Sequence, residues 1–536
     1  MKSESPWIQD MQPNGEAAFP ALNSNLSVDA LVIGGGITGV TAAYLLRKSG
    51  KNVALVERGT IGCGETGHTT AHIAYPTDMR LKKLVSTIGR EPAQAAWHAQ
   101  RAAIDKITEI VAAEALNVDM RTVPAFLCAA RGLEGEALEN EVTSLQEEAE
   151  LAREMGFDAS FQKSCPGVGH PSIVFSNQHK FNAGKYLSQL AQCIPGNGCH
   201  VFENTAVAEI KEVGDSLQAH CGKHIISATH VFVATHVPRQ GIASTLSASM
   251  FQTKISAYSS YAIQAALPPG QAHPEALIWD TAEPYLYIRI DRDADGAHSV
   301  IIGGEDHKTG QSDDTEACFA RLEKTLRDCF TGARPLRRWS GQVIETNDGL
   351  PYVGEIAKGQ YIATGYSGTG MTWGTVAAHM FHDHVTGADN PWKGLLSATR
   401  TGLPSLNYVA ENKDYPYYYA KSFFVSTRDT VTSLKPGEGK LIRHNGMQAA
   451  AYCDDQGEVS VCSATCPHMG CTVAWNAAEK TWDCPCHGSR FTARGEVMAG
   501  PAESNLKPLA DRGSLRDRGK SEPGKKPPTS EVAGSR

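Results

Sequence analysis

Six of the chain's 14 cysteines fall between Cys453 and Cys486, and the pattern inside that window constrains the fold more than any other part of the 536 residues. Cys466-Pro-His468 is followed, after 15 intervening residues, by Cys484-Pro-Cys-His487. Each short segment offers one thiolate and one imidazole. At this chain's Cys and His frequencies, chance gives such a pattern on the order of once per thousand chains of this size. Two such loops ask for a metal centre. Zinc accepts a tetrahedral Cys₂His₂ set, but zinc fingers pair both cysteines in one half and both histidines in the other. Here each half is mixed, which suits a [2Fe–2S] cluster with two Cys on one iron and two His on the other.

The flanking residues agree. Cys-Pro-His-Met-Gly-Cys (466–471) and Cys-Pro-Cys-His-Gly-Ser-Arg-Phe (484–491) resemble the two cluster loops of Rieske proteins. The resemblance implies that Cys466 and Cys484 bind one iron, and His468 and His487 the other. It also implies a loop-to-loop disulfide between Cys471 and Cys486, with two reduced thiols as the alternative in a reducing compartment. Ser489 matches a serine that donates to a cluster sulfur. Phe491 stands where high-potential members carry a tyrosine donor, so a lower potential is expected.

A second signal lies near the start. Gly34-Gly-Gly36-Ile37-Thr38-Gly39 fits G-x-G-x-x-G. With so many glycines the string alone is weak, since chance supplies roughly half a match per chain. Its context strengthens it: an apolar strand at 29–33 precedes it, a helix at about 38–49 follows, and a strand at 51–57 ends in Glu57-Arg58. This is the opening of a βαβ unit whose turn lets a pyrophosphate approach a helix N-terminus. Glu57 accepts from ribose hydroxyls and argues against a 2′-phosphate.

Asp348-Gly349-Leu-Pro-Tyr-Val-Gly354 and Ala363-Thr-Gly365-Tyr-Ser-Gly368-Thr-Gly370-Met371 resemble the closing flavin-binding stretch of D-amino-acid-oxidase-like flavoproteins. That resemblance implies FAD, with Val207 at the adenine, Ala234 and Thr235 ending a strand beside it, and His68, Thr69 and Thr70 where the chain passes the flavin. His68 falls near a position of covalent attachment in some members; a non-covalent contact or a solvent-facing ring are the other readings. No second G-x-G-x-x-G follows a later strand, which speaks against an NAD(P)H-using flavin reductase. On an alternating strand at 285–290, Tyr285, Tyr287 and Arg289 share one face. Related flavoproteins bind a substrate carboxylate with such an Arg and Tyr; the other reading is a sheet-surface Arg with packed tyrosines. His307, in the polar cluster at 303–307, is a further substrate candidate. No catalytic base is singled out.

The expected architecture is α/β, with a Rossmann-like FAD-binding domain of the D-amino-acid-oxidase type, an α+β substrate domain and an all-β C-terminal Rieske domain. Residues 1–27 read as an irregular lead-in. The flavoprotein spans 28–388, with FAD-binding segments at about 28–82, 178–236 and 337–388, and substrate segments at 83–177 and 237–336. The stretch from about 90 to 156 reads as helical. A linker at 389–420, the Rieske domain at 421–510 and a disordered basic tail at 511–536 follow. The net charge of −8 gives no nucleic-acid footprint. No apolar run is long enough to span a membrane and no secretory signal is visible, so a cytoplasmic location is expected.

Together these features resemble bacterial fusions of a glycine-oxidase-like flavoprotein to a Rieske domain. They imply an FAD-dependent dehydrogenase of a small amine or amino acid, passing electrons through the cluster to an unknown acceptor. An O₂-using oxidase with a structural or regulatory cluster, and a non-catalytic redox sensor, are the alternatives. A Rieske oxygenase needs a large following domain with a mononuclear iron site, and only 49 residues follow His487.

Overall fold

The computed structural model describes residues 2–12, 15–238, 254–270, 273–293, 295–400, 417–418, 431–509 and 513–514. Strand Leu26–Ile33 ends in four successive buried residues, as a strand covered on both faces must. It pairs in parallel with Val53–Val56 and with His224–Val233. Strands His200–Phe202 and Gln360–Thr364 extend the parallel set at either side, and Tyr352–Ala357 closes one edge antiparallel. Helices Ile37–Lys48, Arg90–Ala113 and Gly370–Thr386 pack on one face around Val40, Trp97 and Trp373. The last of them stops at Gly387, whose φ of 76° is the left-handed turn glycine tolerates best.

A nine-stranded sheet forms the second layer. Its spatial order is Arg334–Thr346, Ile255–Ala266, His298–Lys308, Tyr287–Arg292, Ala276–Asp280, Arg121–Cys128, Ser172–Lys180 and His72–Ile73, with Ala159–Gln162 beside Ser172–Lys180. The helical reading of 90–156 is corrected here: Arg90–Ala113 and Gly135–Glu154 are helices, but Arg121–Cys128 between them is a strand. Its partners lie far along the chain, Ala276–Asp280 in parallel and Ser172–Lys180 antiparallel. Such pairing overrides local preference. Tyr285 also precedes its strand, which runs Tyr287–Arg292, and the 303–307 segment lies inside a strand.

The lead-in is not loosely attached. A short helix, Ile8–Met11, brings Trp7 and Met11 into the core. Trp7 Nε1 donates to the Thr69 carbonyl at 2.6 Å. Near the other end of the flavoprotein, Arg400 forms a double hydrogen bond with Asp348 at 2.8 and 2.9 Å.

The C-terminal domain is all-β. Strands Gly439–His444, Met447–Cys453, Glu458–Ser463 and Gly513–Ser514 form one antiparallel sheet. Strands Ala474–Asn476, Thr481–Asp483, Arg490–Thr492 and Val497–Ala499 form the other. Trp482, Phe491, Cys466 and Cys484 share its core. Residues 401–416 and 419–420 of the expected linker, and all but two residues of the tail, lie outside the described residues. Among the described residues no helix is long and apolar enough to cross a membrane.

Candidate active site and cluster site

A cavity of about 1250 Å³ runs between the two layers, from the glycine-rich turn to the strands of the second sheet. At the turn, each glycine has a steric reason. A Cβ on Gly34 would lie 2.4 Å from the Ala234 carbonyl oxygen, and one on Gly39 would lie 1.9 Å from that of Gly34. Gly36, Ile37 and Thr38 line the cavity, so the positive end of helix Ile37–Lys48 faces it, with the Ile37 N–H donating to Thr66 Oγ1 at 3.1 Å. Glu57 accepts from the N–H groups of Gly35 at 2.7 Å and Gly59 at 2.8 Å, which fixes its carboxylate on the cavity wall.

Gly34, Gly36, Ile37, Thr38, Glu57, Arg58, His68, Thr69, Thr70, Val207, Ala234, Thr235, Gly368, Gly370 and Met371 all line this one cavity. The Thr38 and Tyr366 hydroxyls, 328 residues apart, lie 3.1 Å from each other and tie the two ends of the site together. Gly39, Asp348, Gly349 and Gly365 stand behind the lining and shape the turns. The sites fit a dinucleotide: glycine cradles at the turn, a helix N-terminus, and a carboxylate where ribose hydroxyls would come. His68 lines the cavity with Nδ1 3.1 Å from the Gly64 carbonyl, while its own carbonyl accepts from Trp339 Nε1 at 2.7 Å.

The substrate candidates divide. Tyr285 and Tyr287 line the cavity. Arg289 does not. It is 4% exposed, paired with Asp291 at 2.9 Å, and its Nη1 donates to the carbonyls of Thr70, Ala71 and Phe181. Its guanidinium lies over the Trp7 ring. Its Nε and Nη1 are committed to these partners and it lies off the cavity lining, so Arg289 braces the fold. His307 also turns away, to the Tyr261 hydroxyl at 3.0 Å. The cause is a β-bulge: Ser259 and Tyr261 face His307 and Gly304, one extra residue on the second strand. The side chain brought to the cavity is its neighbour Asp306, with Asp78 nearby; sequence reading singled out neither. Asp306 lay inside the polar cluster at 303–307, the one signal available for it.

The two cysteine–histidine segments fold as matching turns. The Cys466 N–H donates to the carbonyl five residues on, and the N–H four residues on returns to the Cys466 carbonyl, at 2.8 and 3.0 Å. Cys484 repeats the same two bonds to Ser489 and from Gly488, again at 2.8 and 3.0 Å. The turns bring Cys466 and Cys484 together, each 1% exposed, with the His468 and His487 rings 4.9 Å apart between centroids. A hydrogen bond between the two thiols pulls Cys466 down and pushes Cys484 up. Burial pulls both imidazoles down to about 4, so each is neutral and able to ligate. Both ring nitrogens of His468 are buried without a hydrogen-bond partner, as a metal ligand would be. Cys471 and Cys486 form a disulfide joining the turns, with Cα atoms 6.5 Å apart.

The second turn is seated on the flavoprotein. Gln342 Nε2 donates to the Gly488 carbonyl at 2.8 Å, and Gln311 Nε2 to the Pro485 carbonyl at 3.0 Å. A Cβ on Gly310 would lie 2.8 Å from Pro485 N, and one on Gly488 only 2.3 Å from the Ala257 Cβ. Gln342 lies on strand Arg334–Thr346 and lines the cavity. Arg490, Met498, Ala499 and Gly500 of the cluster domain complete the same wall. Arg490 is buried against Asp483 at 3.2 Å, and the carboxylates of Asp483, Glu479 and Glu65 hold its charge.

Comparison with known proteins places this geometry. Residues 29–383 match the family described as FAD dependent oxidoreductase, and residues 427–510 match the Rieske [2Fe-2S] domain. These domains imply FAD and a [2Fe–2S] cluster. A protein of Bacillus subtilis (strain 168), named as a Rieske 2Fe-2S iron-sulfur protein, YhfW, is 31% identical over 500 residues, covering 92% of this chain and 95% of its own. Glycine oxidase from Geobacillus kaustophilus superposes with a TM-score of 0.56 at 16% identity, over 70% of this chain and 100% of its own. L-amino acid deaminase from Proteus vulgaris gives 0.55 at 15% identity, over 72% and 99%. At these identities the two solved structures speak for the fold alone.

Proposed function

The chain belongs to the FAD dependent oxidoreductase family and carries a Rieske [2Fe-2S] domain at its C-terminal end, and from that premise we propose a dehydrogenase of a small amine or amino acid. In this reading the substrate's electrons would reach the chain's own cluster by way of the flavin and leave to an outside acceptor. When bound, FAD supplies two-electron hydride chemistry and the cluster one-electron transfer. Cys466, Cys484, His468 and His487 would hold the cluster. The glycine turn at 34–39, Glu57, Val207 and the 365–371 segment would hold the flavin.

The observation that carries this reading is the seating of the second cluster turn on the cavity wall through Gln342 and Gln311. A cluster serving only as a structural pin would not need its ligand turn against the substrate-binding layer. The chain's residues hold the second turn closely against the flavoprotein: a Cβ on Gly488 would lie 2.3 Å from the Ala257 Cβ, with the Thr309 Cβ 3.7 Å away. The Bacillus subtilis relative supports the pairing of the two domains in one chain, and the substrate class is taken from the names of the solved structures that share the fold, a glycine oxidase and an L-amino acid deaminase. Anaerobic rapid mixing of loaded protein with an amine series tests the proposal. Flavin bleaching followed by a reduced-cluster EPR signal is expected. Bleaching with no cluster reduction would transfer the assignment to an oxidase.

A further inference from the structure

The cavity end away from the glycine turn is acidic and aromatic. Asp78, Tyr285, Tyr287, Ser260 and Asp306 line it, and Trp97, Phe175 and Trp279 add ring surface. Tyr285 donates to Asp78 at 2.8 Å. Ser260 donates to Asp306, which leaves the Tyr287 hydroxyl to donate to Ser260 at 2.8 Å. This end abuts the proposed flavin segment: a Cβ on Gly368 would lie 2.5 Å from both the Asp78 carboxylate and the Tyr285 hydroxyl.

Among the described residues, no cation stands opposite these acids. Arg80 is paired with Glu148 and Glu141, Arg490 with Asp483, and Arg58 donates to the Met498 carbonyl. Arg289 is occupied behind the wall. Lys83, at the rim, is exposed. His72 is pulled down to about 4 by burial and by Arg289, and is neutral at pH 7. Two further atoms point to a ligand: Ser340, 2% exposed, and His236 both line the cavity and leave the hydroxyl and Nε2 without a partner.

We infer that the substrate is a basic amine whose ammonium group is held by Asp306, with Asp78 behind it and the tyrosine and tryptophan rings around it, and that a substrate carboxylate is not required. The inference rests on the amine-dehydrogenase reading and narrows its substrate class. A buried carboxylate without a counter-charge is unfavourable, and an ammonium supplies that charge. The aromatic faces favour the same cation. An α-carboxylate placed here meets two acids and no available arginine. Burial pushes Asp306 up to about 7 and Asp78 in the same direction, as expected for acids awaiting a cation.

The test uses loaded, anaerobic protein and matched pairs: n-pentylamine with 2-aminohexanoic acid, benzylamine with phenylglycine, and 1,4-diaminobutane with 2,5-diaminopentanoic acid. Binding is read from the flavin absorbance shift and turnover from bleaching. The amine of each pair is expected to bind at least about 10-fold tighter than its carboxylated partner. Asp306→Asn is expected to weaken amine binding about 10- to 100-fold, and Asp306→Glu to retain most of it. Preference for the carboxylated partner, no amine binding across the series, or unchanged affinity in Asp306→Asn overturns the inference. Amine binding without bleaching would keep the inference and remove the dehydrogenase reading. The paired comparison in the unaltered protein decides the matter even if a variant fails to fold.

Discussion

Replacing Asp306 by Asn should stabilise the substrate-free protein, and by an amount that depends on pH. The ordinary value for this carboxyl is 3.8, and burial carries it to about 7 despite the Ser260 hydrogen bond. At about 1.4 kcal/mol per pH unit, keeping it ionised in the fold costs about 4 kcal/mol. The sign follows from proton counting. Below 3.8 both folded and unfolded chains hold the proton and there is no penalty. Between 3.8 and about 7 the unfolded chain releases it while the folded chain retains it, so stability falls as pH rises. Above about 7 both are ionised and the loss levels off. Asn keeps an oxygen for Ser260 to donate to but has no charge, so the variant's advantage should widen by roughly 2 kcal/mol from pH 5 to 7 and flatten towards pH 8. Urea unfolding of both proteins, loaded with flavin and free of amine, at pH 5, 6, 7 and 8 reads this directly. A difference that stays constant, or that shrinks with rising pH, would refute the reasoning.

Arg289→Ala should lower stability by about 3 kcal/mol, because it strips three buried carbonyls and Asp291 of a partner, yet leave amine affinity within about twofold; thermal unfolding beside a binding titration checks both halves. Gln342→Ala removes the donor to Gly488, a loss of about 1–3 kcal/mol at the docking contact. Cluster reduction should slow while flavin bleaching by substrate does not, and equal slowing of the two in stopped-flow traces would contradict the seating role. Removing the disulfide with Cys471→Ala and Cys486→Ala together opens a link of 15-residue separation. It should cost about 3 kcal/mol and hasten cluster loss on heating, followed by visible absorbance and acid-labile sulfide.

The parts of this molecule that could be read from sequence are those whose chemistry is local. Both cysteine–histidine turns close within six residues, so spacing alone exposes them. The glycine turn is likewise complete between one strand and the next helix. What escaped detection depends on contacts across tens to hundreds of residues. Strand Arg121–Cys128 exists because Ser172–Lys180 and Ala276–Asp280 flank it. Arg289 reads as an anion hook from its alternating strand, but Trp7, Asp291 and three distant carbonyls claim it. A single inserted residue, with Glu305 at φ 61°, exchanges His307 for Asp306 at the cavity. Simple alternation along a strand cannot anticipate such a bulge.

The two cluster turns differ in their surroundings. In the second, every residue from 484 to 489 except His487 is buried, while the first leaves Thr465, Pro467, Met469 and Gly470 open to solvent. Close packing at Gly310 and Gly488 seats the second turn directly on the flavoprotein. A carrier drawing on the proposed relay would therefore travel to this protein and dock over Met469, with arrival and departure of charge on opposite sides of one stationary centre. Kinetics would then be set by collision with that small solvent-facing turn, not by the reach of a tethered arm.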